Sequence, residues 1–316
     1  VVAVTLDYLP ARRIGSEVAT HEVLRALVRR GHRVTVLPTY TPPAAPPWTF
    51  DGVRVDPTVD VASADLVWTH AELLRKVYEF APDVTVAAAT HNVTPRTVLG
   101  LAFPVDLLVH NAHATAATLT RYVPNAPSMV LHPVVRAEDY RALDGPHEHV
   151  TLVGCSPAKG IGVLSALARS RPDDAYLAVA GGYGQQRRIR RPCVTHVGHT
   201  KDMREVYART RVLIVPSRHE SYGRVVLEAM CSGIPVVASD LPGLREAGGD
   251  AAMYVPLHDR QAWRDALEAL DDPVVYAAAS EASRDRVAEL TPDEDLAAVV
   301  DRLEQLVEAP CRAAAG

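Results

Sequence analysis

The feature that most constrains this chain is a run of strand, tight turn, helix and strand between Arg211 and Ser239. RVLIVPS (Arg211 to Ser217) is short, apolar and rich in β-branched residues, which reads as a buried strand. RVVLEAMCSG (Arg224 to Gly233) sets Val225, Leu227, Glu228, Ala229 and Met230 at helical spacing and closes on Gly233, a C-cap residue. PVVAS (Pro235 to Ser239) is a second buried strand. Glu220, Ser221, Tyr222 and Gly223 therefore fall where a strand's carboxyl end meets a helix's amino end, the usual ligand position in parallel α/β sheets. The helix start offers unpaired N–H groups and a partial positive charge suited to an anion such as phosphate. Gly223 permits close backbone approach. Glu220 and Glu228 can each accept two or more O–H bonds, as the hydroxyls of sugars and riboses require.

The strand–helix alternation starts twice. VVAVTLDYLP opens as a buried strand, and the helix after it runs from about Ser16 to Arg30, with Val18, Leu24, Leu27 and Val28 inward, Ser16 as N-cap and Gly31 as C-cap. HRVTVLP follows as a strand, as do ADLVWTH, VTVAAAT, DLLVHNA and MVLHPVV, giving a Rossmann-like domain. HVTLVGCSPAKGIG then restarts the pattern. At 316 residues the chain fits two domains of about 150 residues each. DGPHEH (Asp144 to His149) is the expected linker, dividing the chain into 1–146 and 147–316. PTYTPPAAPPWTF (38–50), with five prolines, is expected to be irregular and exposed, its Tyr40, Trp48 and Phe50 suiting a loop that lines a binding surface. Beyond Pro256 the pattern is helical, and Thr291 caps a last helix that has Pro292 at its first position.

Composition excludes several classes. A formal net charge of −5 gives no basic excess for nucleic acid. Cys155, Cys193, Cys231 and Cys311 lack metal or disulfide spacing, so reduced thiols and a cytoplasmic location are expected. No apolar run approaches the ~20 residues of a membrane span, and no signal peptide is expected before the first strand. Asp293 and Asp295 lie in a helix's first turn, where they serve its dipole. His147 and His149 sit in the expected linker and carry little weight as metal ligands. Lysine occurs only at 76, 159 and 201, which singles out Lys159 inside a glycine-containing turn.

ESYGRVVLE, with seven residues between Glu220 and Glu228, resembles the E-x7-E signature of glycosyltransferase family 4, and the following GIPVVASDLPGLREAG keeps that family's pattern. The resemblance is dense from about 150 to 255. It implies the α/β GT-B fold, two Rossmann-like domains facing a cleft, with the last helix (about 291–308) crossing back to the first domain. It implies a retaining, metal-independent transferase that takes a nucleoside diphosphate sugar as co-substrate, no further cofactor, and a small-molecule or lipid-linked acceptor. Carried over residue by residue, Glu228 would hold the ribose hydroxyls and Glu220 the sugar. Lys159, with the Ser221, Tyr222, Gly223, Arg224 and Val225 backbone, would hold the diphosphate. Val197 and Gly198 would meet the base through their backbone, Gly15 would pack on the diphosphate, and His91 of the Thr90-His91-Asn92 triplet would reach the sugar. Structural roles are expected for His70, His110 and His113.

Three departures stand out. Ile14-Gly15 replaces a Gly-Gly pair, His132-Pro133-Val134-Val135 replaces a Pro-Asn-Gly-Val segment, and Cys155-Ser156 stands where the family has an arginine for the diphosphate. Arg224, or Arg12 and Arg13, could supply that missing charge. Two other classes fit the same donor site: a nucleotide-sugar epimerase, and a non-catalytic partner subunit that binds the nucleotide sugar. A glycoside hydrolase needs two carboxyls about 5 Å or 6.5–9.5 Å apart flanking one bond, which a pair with only one member at the helix start does not favour.

Overall fold

Two largely parallel sheets take up the buried strands. The protein is described by a computed structural model covering residues 1–10, 15–41, 45–182, 184–200 and 202–308; Arg12, Arg13, Ile14 and Cys311 lie outside the described residues. The chain divides into two units, Val1–Val134 together with the segment from Pro292 on, and Val135–Thr291.

Unit 1 begins with β1 (Val2–Thr5), α1 (Gly15–Arg29), β2 (Thr35–Pro38), β3 (Trp48–Phe50) and β4 (Val53–Val55). It continues with β5 (Leu66–His70), α2 (Leu74–Phe80), β6 (Thr85–Thr90), α3 (Pro95–Gly100), β7 (Leu107–His110), α4 (His113–Leu119) and β8 (Ser128–Val130). Its eight strands are ordered β3-β4-β2-β1-β5-β6-β7-β8, and one apolar cluster covers each face of the sheet.

The proline-rich segment departs from expectation, because its end is regular. Trp48–Phe50 pairs antiparallel with Val53–Val55, and Trp48 and Phe50 pack against the core, leaving Tyr40 as the exposed aromatic of the three. The turn is the two-residue Asp51-Gly52, both at positive φ (49° and 82°), which matches the right-handed strand twist.

Unit 2 contains α5 (Ala137–Tyr140), β9 (His149–Val153), α6 (Ile161–Ser170), β10 (Tyr176–Val179), β11 (Val194–Val197), α7 (Arg204–Tyr207) and β12 (Thr210–Val215). It ends with α8 (Arg224–Met230), β13 (Val236–Ser239), α9 (Pro242–Gly248), β14 (Met253–Val255), α10 (Arg260–Ala269) and α11 (Pro273–Ala288). Its six strands, ordered β11-β10-β9-β12-β13-β14, are all parallel.

The division falls at Val134 rather than at 146 because the segment expected to be a free linker belongs to unit 2. Ala142 donates its N–H to Ser232 Oγ at 2.7 Å, and His147, Glu148 and His149 donate theirs to the carbonyls of Ala208 and Arg209. The last helix, α12 (Pro292–Glu308), belongs to unit 1. Leu296, Val299, Val300 and Leu303 recur at helical spacing and enter the same core as Leu24 and Leu27 of α1. Glu304 ties the two helices through Arg30 (2.8 Å) and His32 (2.7 Å). Leu303 is fully buried, so Leu303→Ala is expected to destabilise unit 1 by about 2–5 kcal/mol, read as a lower urea midpoint of its transition; an unchanged midpoint would contradict this placement of α12.

Candidate active site

Lys159 and Glu220 stand on loops that leave neighbouring strands. Chain order in the unit 2 sheet runs outward from β9 on one side and from β12 on the other, so the connections change direction between these two. At such a switch point the following loops part and leave a crevice at the carboxyl edge, where α/β sheets bind ligands. The loop after β9 leads into α6, and the loop after β12 into α8. Both helices begin on a left-handed glycine, Gly160 (φ 81°) and Gly223 (φ 91°), so neither N-cap residue brings a side chain to its first turn. The loops touch: Arg218 N–H donates to the Ala158 carbonyl at 2.9 Å. A Cβ on Gly160 would lie 2.1 Å from the Pro216 carbonyl oxygen, and one on Gly223 2.4 Å from Leu244 Cδ2. The left-handed conformation favours glycine at both places, and at Gly160 space demands it too, because the nearest atom is backbone.

Two ion pairs are mounted on this frame. Lys159 Nζ lies 2.6 Å from Glu220 Oε2, which also accepts the Ser217 hydroxyl at 3.1 Å. Glu220 Oε1 has no hydrogen-bond partner among the described residues. Glu228 is buried, and Oε1 takes Arg224 Nε–H at 2.8 Å while Oε2 takes the Tyr207 hydroxyl at 2.8 Å. Arg224 donates from Nη2 to the Tyr140 hydroxyl, and its Nη1 is buried with no hydrogen-bond partner. Burial opposes the charge on Arg224, but Glu228 and Tyr140 outweigh it and the guanidinium is held above its ordinary pKa. Burial, reinforced by Glu228, raises Tyr207 well above its ordinary value and keeps it a donor.

The remaining positions of unit 2 are placed as follows. Tyr222 is fully buried, so only its backbone is presented, whereas Ser221 and Val225 are half-buried. Val197 and Gly198 close the edge strand β11 on the same carboxyl edge, two strands from β9 and so about 10 Å away. Cys155 supplies no charge: burial pushes its thiol up to about 11. Arg224 is committed to Glu228 and Tyr140 and is not a spare cation.

In unit 1, Gly15 opens α1 in open space, with nothing within 4 Å of a built Cβ, so packing does not demand glycine there. His91 follows β6, and its Nε2 is buried without a hydrogen-bond partner among the described residues. Its ring meets His70 edge-on at 5.0 Å, and His70 Nε2 is 3.0 Å from Thr20 Oγ1. Burial pushes His91 down to about 3, with His70 adding to it, and His70 down to about 4. Burial likewise lowers His110 to about 4, where it bonds Thr90 Oγ1 at 2.8 Å. At neutral pH these imidazoles are neutral, so His91 is a hydrogen-bonding group and not a cation.

Sequence reasoning missed Tyr140, Tyr207 and Ser217. Ser217 had a local signal, being three residues before Glu220. Tyr207 reads as one more inward residue of its helix, and nothing in spacing links it to Glu228.

Residues 150–272 match the family described as Glycosyl transferases group 1, a span that holds both ion pairs. Among solved structures, sucrose-phosphate synthase from Thermosynechococcus elongatus superimposes with a TM-score of 0.78 over 98% of this chain and 99% of its own, at 18% identity. The Anabaena protein HepE in complex with UDP-glucose gives a TM-score of 0.75 over 96% of this chain and 99% of its own, at 16% identity. The fold is that of GT-B glycosyltransferases. Within this GT-B chain, 136 residues are 36% identical to a D-inositol 3-phosphate glycosyltransferase from Corynebacterium aurimucosum, covering 40% of this chain and 29% of that protein. The aligned stretch thus spans less than a third of that relative. No helix among the described residues is long and apolar enough to cross a membrane.

Two outcomes follow. Gly160→Ala is expected to destabilise unit 2 and weaken any ligand at the switch point, because its φ is left-handed and its Cβ meets backbone; an unchanged melting temperature would contradict this. Unfolded imidazoles take up protons near pH 6.5, whereas folded His70 and His91 wait until about 4 and about 3. Between those values the unfolded state binds more protons, so stability falls as pH drops from about 6.5 toward 4. Urea midpoints at pH 7.5 and 5 should show a smaller loss in the His70→Asn, His91→Asn double variant than in the parent; equal losses would contradict the assignment.

Proposed function

We propose that the protein transfers a sugar from a nucleoside diphosphate sugar to an acceptor hydroxyl, with retention at the anomeric carbon and without a metal. The observation that carries this is the pair of carboxylates at the strand switch point of unit 2: Glu220 with one oxygen unpartnered among the described residues, and Glu228 with each oxygen holding one partner. A carboxylate oxygen has room for a second donor, so Glu228 is fitted to hold ribose hydroxyls and Glu220 Oε1 a sugar hydroxyl. Lys159 Nζ and the first-turn N–H groups of α6, whose N-cap is Gly160, supply hydrogen-bond donors where the leaving diphosphate gains charge. The match of residues 150–272 to the Glycosyl transferases group 1 family supports this assignment.

In the reaction the bond from the anomeric carbon to the diphosphate oxygen breaks. A bond to the acceptor oxygen forms on the same face, and the acceptor's proton passes to the departing phosphate oxygen. No separate base is then required. His91, neutral and with an unpartnered Nε2, is assigned to the donor sugar on the family resemblance, and Gly15 to the diphosphate on the same ground. Metal independence rests on the sequence, whose only Asp-x-Asp, Asp293 to Asp295, begins a helix. UDP-glucose, bound by the structural neighbour HepE, is the first donor to try, followed by the guanosine, adenosine and thymidine diphosphate sugars.

Lys159→Ala should lower turnover about 100-fold or more, since removing one preorganised donor costs a few kcal/mol of barrier. Glu228→Gln should act mainly on the KM for the donor. Both are read by product formation with donor and an acceptor panel, with and without EDTA. Turnover of Lys159→Ala within a few-fold of the parent, or abolition of activity by EDTA, would contradict the proposal.

A further inference from the structure

We infer that Arg187 and Arg218 form the diphosphate clamp of this site, replacing the charge absent at Cys155. The inference rests on the donor class proposed above and names the cations that recognise its anionic centre. The charges mounted at the switch point cancel: Lys159 is paired with Glu220 and Arg224 with Glu228. A diphosphate needs a net positive surrounding, and charge-assisted hydrogen bonds from arginine supply it with geometry as well as energy. Two other arginines have their backbones tied to the loop between β9 and α6, one near each end. Arg187 N–H donates to the Cys155 carbonyl at 2.8 Å, and Arg218 N–H to the Ala158 carbonyl at 2.9 Å. Both side chains are exposed, and neither takes part in an ion pair or side-chain hydrogen bond among the described residues.

The tether of Arg187 is firm. Gln186 Oε1 accepts the N–H groups of Cys155 (2.8 Å) and Gly181 (2.9 Å), stapling the carboxyl ends of β9 and β10 together. The segment that follows joins β10 to β11 without a helix. Ile189 fixes it to the core and to His196 Nε2, which accepts the Ile189 N–H at 3.0 Å. Four arginines (187, 188, 190 and 191) line this crossover, but its two ends lie at opposite edges of the sheet. Arg187 stays at the carboxyl edge beside Cys155, whereas the Arg191 carbonyl accepts Val194 N–H at the amino end of β11. Arg191 carries the same charge on the same segment at the other edge, which makes it the control.

The test is titration calorimetry of the full chain with UDP, GDP, ADP and dTDP, and with the nucleosides. Arg187→Gln and Arg218→Gln should each weaken the nucleoside diphosphate that binds best by about tenfold, one charge-assisted hydrogen bond's worth, leave the nucleoside unaffected, and flatten the salt dependence. Arg191→Gln should stay within about twofold, and Arg187→Lys should recover part of the loss. If the parent binds a diphosphate but either variant matches Arg191→Gln, the clamp is overturned while the donor class stands. If no diphosphate binds the parent, the donor class and the clamp fall together.

Discussion

The rest of the candidate site depends on the buried pair between Arg224 and Glu228. It joins three helices of unit 2, because Tyr207 of α7 bonds Glu228 and Tyr140 of α5 bonds Arg224, both on α8. Burying a charge is costly unless it is paired and bonded. Removing one partner of such a pair typically costs about 3–5 kcal/mol, yet apolar residues of similar volume are often as stable as the intact pair. Stability alone therefore does not account for a carboxylate at this depth. The proposed contact with ribose hydroxyls accounts for it, and Arg224 Nη1, buried without a hydrogen-bond partner among the described residues, lies at the same place.

Around that pair the sheet does the positioning. Parallel strands bring the loops after β9 and β12 to one edge, and the change of direction between them leaves both helix starts open. The left-handed Gly160 lets the two loops pack backbone against backbone, with its Cα over the Pro216 carbonyl. Lys159 and Glu220 are thereby held 2.6 Å apart across a sequence distance no local rule connects. Paired with one another they carry no net charge, so the proposed diphosphate takes its positive surroundings from the nearby arginines.

Local signals in the sequence carried most strands of both sheets, the α8 turn and the E-x7-E pair, because hydrophobic period and glycine position are local properties. Prolines masked the β3–β4 hairpin, although Asp51-Gly52 is a strong two-residue turn signal and the aromatics beside it alternate toward the core. The linker was placed too late because Gly145 and Pro146 resemble a free turn. What binds that stretch to unit 2 is a set of long-range hydrogen bonds to Ala208 and Arg209. The partners of Glu228 were invisible for the same reason: Tyr207 reaches it across a strand and a loop, and Tyr140 reaches Arg224 from before the first strand of unit 2.

The central claim, that a nucleotide diphosphate is gripped at the two glycine-started helices of unit 2, is most directly tested by backbone amide hydrogen exchange with and without a saturating nucleoside diphosphate. The account predicts slowed exchange in peptides covering 155–163 and 217–228, with the far ends of α6 and α8 unchanged. Protection confined to other segments, with these two exchanging as fast as in the free protein, would contradict it.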